Sequence, residues 1–216
     1  MRILFFGDSI AQGFWSVDGG WVEKIRKHYD GISMQDLDNN IQPEIFNLGI
    51  SGDTTRNLLK RIEGEVLARK WKEDPLIVAI AIGTNDDLFE SDEQWVKPEE
   101  FRANLEKILS MVAPIATAVM FVGNPACDEA KTSPVSWGDF TYTNRELERS
   151  EKTIAELAGS RRLSFVPIFD GFKARLDAGE DLLIDGLHPN DAGHRYIADC
   201  VLSELDLLID KVASKK

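Results

Sequence analysis

The sequence predicts a three-layer α/β/α fold, a five-stranded parallel sheet in the flavodoxin-like order 2-1-3-4-5 with helices on both faces. Three observations carry this. Strand-like and helix-like segments alternate along the chain, the pattern of a parallel sheet with crossover helices. The run 76–82 is apolar at every position, as a central strand covered on both faces requires. The chain has 216 residues, enough for one such domain with a full core and short for two. Residues 1–216 are therefore read as a single domain with right-handed crossovers.

The elements follow in order. The apolar run 3–6 is the first strand and breaks at Gly7. Trp21, Val22, Ile25 and Tyr29 have helical spacing and predict a helix over 20–29. Residues 31–43 read as a polar loop, and 44–48 as the second strand. A glycine-bearing turn over 49–55 follows, with Thr54 or Thr55 placed to cap a helix whose apolar face holds Leu58, Leu59, Ile62, Val66 and Leu67. Pro75 marks the break before the third strand, and residues 88–98 read as acidic and irregular. Pro98 suits the first turn of a helix over 98–112. The fourth strand is 118–122, followed by a long connection over 126–143; connections of that length in a compact domain are commonly functional. A helix over 144–158, a fifth strand over 163–168 and a short helix near 171–178 come next. The last is a long helix with the stripe Ile197, Val201, Leu205, Leu208, Ile209 and Val212.

Composition narrows the function classes. The net charge of −12 argues against nucleic acid and anionic membranes as partners, because both need a positive patch. No apolar stretch reaches the length of a membrane span. The first apolar run starts at residue 3 and is too short for a signal core, so a cytoplasmic protein is expected. Cys127 and Cys200 read as two reduced thiols. No metal-ligand spacing is present, and Asp86 and Asp87 have no partner ligand set; no metal and no cofactor are expected. His28 and His194 read as solvated helix residues. The sequence leaves homo-oligomerisation open.

The chemistry gathers at predicted strand ends, where open α/β sheets bind ligands. Gly7-Asp8-Ser9-Ile10 resembles the G-D-S-L block of the GDSL or SGNH hydrolase family. Asn47-Leu-Gly-Ile-Ser-Gly-Asp53 resembles its glycine block, Gly83-Thr-Asn-Asp86 its G-x-N-D block, and Asp185-Gly-Leu-His-Pro189 its D-x-x-H-P block. The four blocks occur in the family order and span residues 7–189. Ile10 replaces the leucine of the family name, a volume-conserving swap. The resemblance implies the SGNH hydrolase fold. It also implies an oxyanion hole made by the Ser9 and Gly52 backbone N–H groups and the Asn85 side-chain amide.

Residue chemistry runs parallel. A serine is a weak nucleophile until a base lies within hydrogen-bond reach. His188 is the histidine on a predicted loop at a helix start, and an unperturbed imidazole, titrating at about 6.5, suits a base at neutral pH. Asp185, three residues earlier, can orient it across Gly186. Pro189 holds His188 extended and starts the following helix. Asp8 reads as a scaffold for the turn rather than an acid.

The expected function is serine ester hydrolysis through an acyl-enzyme, with Ser9, His188 and Asp185 as the triad and a short-chain acyl or O-acetyl ester as the small-molecule substrate. Activity should rise with pH through about 6–7, as a histidine base loses its proton. The alternatives are a lysophospholipase or thioesterase of the same fold, or a catalytically silent binding or interaction protein. A phosphate-binding flavodoxin-type reading lacks G-x-x-x-x-G-K-[ST] in the first turn. The facing pocket is expected from residues 14–21, 88–97 and 126–143, with Trp15 and Trp137 in its walls.

Overall fold

The computed structural model describes residues 1–35, 37 and 42–214. Its sheet runs through β1 (Arg2–Gly7), β2 (Glu44–Gly49), β3 (Leu76–Ala81), β6 (Ala118–Val122) and β8 (Ser164–Val166). Their spatial order is β2-β1-β3-β6-β8, all pairs parallel. Among these five strands that is the order 2-1-3-4-5. The helices are α1 (Ser9–Gln12), α2 (Gly20–Gln35), α3 (Thr55–Arg69), α4 (Pro98–Val112), α5 (Glu129–Thr132), α6 (Asn144–Arg161), α7 (Phe169–Asp177) and α8 (Asp191–Ala213).

Alternation along each strand separates two cores. Ile3, Phe5, Ile77, Ala79 and Met120 point to one face and join Trp21 and Ile25 of α2 and Ile197, Val201 and Leu205 of α8. Leu4, Phe6, Val78, Ile80 and Phe121 point to the other and join Leu58 and Ile62 of α3, Leu105 and Ile108 of α4 and Ile154 of α6. Both faces of β1 and β3 are thus dry, which is why these strands read as unbroken apolar runs.

Register brings the strand ends together. Gly7 pairs with Gly49 on one side and with Ala81 on the other. The turns after β1, β2 and β3 therefore leave the sheet side by side, as the switch point of a doubly wound sheet requires. The close fit needs glycine: a Cβ on Gly49 would lie 2.4 Å from Gln12 N and 2.8 Å from Asp8 O, both fixed backbone. Side-chain amides complete the seam. Asn47 Nδ2 donates to Ala11 O (3.0 Å), and Ser51 N donates to Gln12 Oε1 (2.9 Å).

Several sequence expectations are corrected. The first helix runs to Gln35, so 31–35 is helix rather than loop; residues 36 and 38–41 of the expected loop lie outside the described residues. The segment 88–98 is not irregular. It contains β4 (Phe89–Glu90) and β5 (Glu93–Gln94), joined by Ser91 and Asp92 with φ of 51° and 64°. Two left-handed central residues make the tight hairpin turn that matches strand twist. β7 (Phe140–Thr141), from the long connection, pairs with β4 in a second, three-stranded antiparallel sheet. Two-residue strands are too short for an alternation pattern to reveal them. The long connection also holds α5.

His194 is not solvated. It is fully buried, and neither ring nitrogen has a hydrogen-bond partner among the described residues. It precedes Ile197 and Val201 on the apolar stripe of α8, so its burial was encoded in the spacing. Burial pushes its imidazole down to about 4. A neutral buried imidazole favours the folded state above the unfolded value, and that contribution is lost as pH falls from about 6.5 toward 4. His28 is exposed on α2. Cys127 and Cys200 are free thiols, the first buried.

Candidate active site

The site begins at the turn after β1. Asp8 is the N-cap of α1 and accepts from Ile10 N at 2.9 Å. Ser9 is thereby the first helical residue rather than the cap, and its hydroxyl is left for other partners. Gly13, with φ of 82°, ends this four-residue helix. Burial pushes the Asp8 carboxyl up to about 6.

The loop before α8 supplies the imidazole. Asp185 Oδ1 accepts from Leu187 N (3.0 Å) and His188 N (2.8 Å), folding residues 185–188 into a tight turn. Ile184 N donates to His188 O at 2.9 Å, and Leu183 bridges to Pro189. Asn190 then caps α8, accepting from Ala192 N and Gly193 N. The ring has little freedom left. Its Nδ1 lies 2.8 Å from Asp185 Oδ2, and its Nε2 lies 3.1 Å from Ser9 Oγ. Ser9 and His188 are both buried. Burial opposes the Asp185 charge, but hydrogen bonds from the His188 ring and from the two backbone N–H groups outweigh it and hold the carboxyl well below its ordinary range.

The turns after β2 and β3 bring the other expected residues to the same edge. Gly52 has φ of +82°, a left-handed conformation that strains other residues. A Cβ there would meet nothing within 4 Å, so conformation rather than crowding requires the glycine. The backbone N–H groups of Ser9 and Gly52 donate to no partner among the described residues. Asn85 is buried, and its Nδ2 donates to Asp53 O at 3.0 Å. That bond uses one of the two amide hydrogens. Asp86 is occupied in structure: it accepts from Thr55 N (3.0 Å) and Thr55 Oγ1 (2.5 Å) at the start of α3, and burial pushes its carboxyl up to about 7. Thr54 is the N-cap of that helix.

Tyr142 is a site residue that the sequence reading missed. Its hydroxyl donates to Asn85 Oδ1 at 3.2 Å, which fixes the amide with its nitrogen away from the phenol. Burial pushes its phenol well above the ordinary value, so it stays a donor. It lies between β7 and α6, where no local pattern marks it.

A pocket of about 360 Å³ opens above these groups. Phe14, Trp15, Leu88, Trp95, Trp137 and Phe140 form its apolar wall, and Ser9, Ser51, Gly52, Asn85, Tyr142 and His188 also line it. The wall draws on the three segments named from sequence. The ring of His188 sits among aromatics: its centroid is 5.2 Å from Phe14, 5.7 Å from Trp15 and 6.4 Å from Trp137. Trp15 has φ of 63°, an uncommon backbone state for a bulky residue.

A hydroxyl, an imidazole and a carboxylate in series, beneath an apolar pocket at the switch point of a doubly wound sheet, define the class: a carboxylic ester hydrolase. A family model described as the GDSL-like lipase/acylhydrolase family matches residues 5–196, and the chain belongs to that family. An acetylxylan esterase of Geobacillus stearothermophilus is 25% identical over 94% of this chain and 93% of its own. An isoamyl acetate-hydrolyzing esterase of Saccharomyces cerevisiae is 26% identical over 95% of this chain and 86% of its own. A solved structure of a lipolytic G-D-S-L family protein from Veillonella parvula has the same fold, with a TM-score of 0.71 at 20% identity over 94% of this chain and 97% of that one. Among the described residues no helix is long and apolar enough to cross a membrane.

Proposed function

We propose that the protein hydrolyses acetyl and other short-chain acyl esters through an acyl-enzyme on Ser9. The observation that carries this is the continuous path from Ser9 Oγ to His188 Nε2 (3.1 Å) and from His188 Nδ1 to Asp185 Oδ2 (2.8 Å), opening on an apolar pocket. Ser9 attacks the acyl carbonyl carbon while His188 takes the hydroxyl proton at Nε2. Asp185 holds the ring in the tautomer with Nδ1–H and stabilises the imidazolium. The carbonyl oxygen, now an anion, is received by the Ser9 and Gly52 backbone N–H groups and the second amide hydrogen of Asn85. Collapse of this intermediate breaks the ester C–O bond, and His188 protonates the leaving alcohol. Water then attacks the acyl-enzyme, with His188 again as base, and frees the acid.

The names of the relatives support the acetyl preference. Both relatives named above carry an acetyl ester in their names. The rings of Trp15 and Trp137 are about half exposed at the mouth, where they can cover the apolar side of a leaving alcohol. Comparing kcat/KM for p-nitrophenyl acetate, butyrate and octanoate tests this. The expected order falls from acetate to octanoate by at least about tenfold, a modest penalty for a chain that must repack several methylenes. A series that rises with chain length assigns a lysophospholipase- or thioesterase-like substrate instead, and no turnover of any ester assigns a binding protein.

Asn85→Ala removes the oxyanion donor that is a side chain. Its kcat should fall by about 10²–10³-fold with KM little changed, because the lost bond is made chiefly to the developing anion. A fall of less than about fivefold would remove Asn85 from the oxyanion hole.

A small-molecule substrate rather than a nucleic-acid partner belongs to the same proposal, on the net charge of −12.

A further inference from the structure

We infer that Trp137 is a positioning residue for the triad: its indole N–H anchors the Asp185 oxygen that faces His188, while its ring forms part of the substrate pocket. Trp137 Nε1 donates to Asp185 Oδ2 at 3.2 Å. The same oxygen receives His188 Nδ1 at 2.8 Å. Oδ1 is already held by the two backbone N–H groups of Leu187 and His188. The carboxylate is thus fixed by four donors, three from its own turn and one from the distant loop between α5 and β7.

The fourth donor differs in kind. The other three come with the turn and orient the carboxylate wherever the turn goes. The indole ties it to the wall of the pocket. Trp137 packs on Phe140 of β7, with centroids 5.6 Å apart, and Phe140 packs on Trp95 at 5.9 Å. A ring shift on this side of the pocket is therefore transmitted to Asp185 Oδ2, and through it to the His188 ring. Donation from the indole also disperses the carboxylate charge, so it moderates how strongly Asp185 stabilises the imidazolium. Trp15, which also lines the pocket, makes no hydrogen bond to the triad among the described residues, although its ring is nearer to His188.

This inference rests on the triad proposed above, and the two are tested separately. Loss of turnover in Ser9→Ala tests the triad. Trp137→Phe tests the anchor, because it keeps an aromatic wall and removes only the N–H. Its kcat should fall about threefold to tenfold, the net worth of an ordinary hydrogen bond, with KM for p-nitrophenyl acetate changing less than kcat. The acid limb of its pH–kcat/KM profile should move to higher pH, since an undispersed carboxylate favours the protonated imidazole. Trp15→Phe is the control: it should alter KM and leave the acid limb in place. An unmoved limb in Trp137→Phe, or an equal movement in Trp15→Phe, overturns the anchor. Should Trp137→Phe not fold, the unsubstituted protein still decides. Its Trp137 indole N–H resonance should titrate with the acid limb, both in the parent and in Ser9→Ala, and a resonance that stays constant overturns the inference.

Discussion

Ser9→Ala should lower kcat for p-nitrophenyl acetate by about 10⁴–10⁶-fold, the scale on which removal of a serine nucleophile acts in triad enzymes generally. The expectation follows from what the hydroxyl contacts. Its partner among the described residues is His188 Nε2 at 3.1 Å, and the turn that presents it is held by Asp8, Gly13 and the Gly7–Gly49 register rather than by the side chain. The substitution therefore leaves the cap, the helix and the pocket wall in place. Its thermal midpoint should stay within a few degrees of the parent, since no cavity larger than a hydroxyl forms and the single hydrogen bond lost is the one to His188 Nε2. Residual turnover would come from the oxyanion donors and from binding alone. Retention of more than about one-tenth of the parent kcat in a folded Ser9→Ala protein would end the acyl-enzyme proposal.

Asp185→Asn should cost about 10⁴-fold in kcat while the loop stays folded, for a reason specific to this turn. Oδ1 accepts from Leu187 N and His188 N. An asparagine puts its carbonyl oxygen there, because an amide nitrogen would face two donors. Its NH₂ then occupies the Oδ2 position, 2.8 Å from His188 Nδ1. Nδ1 becomes the acceptor, the ring proton moves to Nε2, and the nitrogen facing Ser9 can no longer take a proton. Two backbone donors at Oδ1 outweigh the single fixed donor at Oδ2, Trp137 Nε1, so this amide orientation is preferred and the indole hydrogen bond is lost with it. The measurement is kcat across pH 6–9 for parent and variant. A variant within about tenfold of the parent at neutral pH would show that Asp185 does not set the tautomer. The backbone bonds to Oδ1 survive the change, so a loss of activity with unchanged melting separates the electronic role of Asp185 from its part in the turn.

Much of the fold was legible because its strands are buried on both faces. Residues 76–82 could hardly be anything but a central strand, and Gly7, Gly49 and Gly83 mark the strand ends. Helix positions followed from apolar spacing, and errors fell at the ends, where frayed or polar turns carry no periodicity, as in the extension of α2 to Gln35. His194 shows the opposite failure. The stripe 194, 197, 201 placed it inside, but its polarity led to a solvated reading. The small sheet of β4, β5 and β7 was illegible: its strands are two residues long, and β7 pairs with a segment some fifty residues earlier.

The candidate site divides in the same way. Ser9, Gly52, Asn85, Asp185 and His188 stand in short local blocks, each a turn whose residue types are set by backbone demands within a few positions. The sequence by itself therefore determined the class of sheet, the order of its strands and the five residues that meet at its edge. The tertiary structure decided what surrounds them. Tyr142 reaches Asn85, and Trp137 reaches Asp185, across 57 and 48 residues of chain. The pocket wall joins Phe14, Leu88 and Phe140 from three separate segments. Contacts of this kind depend on register and on loop paths, neither of which leaves a periodic signal in the residues that make them. Each residue of the proposed triad is thus marked by its own local block, whereas the contact between Ser9 and His188, 179 residues apart, and the groups that orient the triad and shape its pocket form only when the chain has folded.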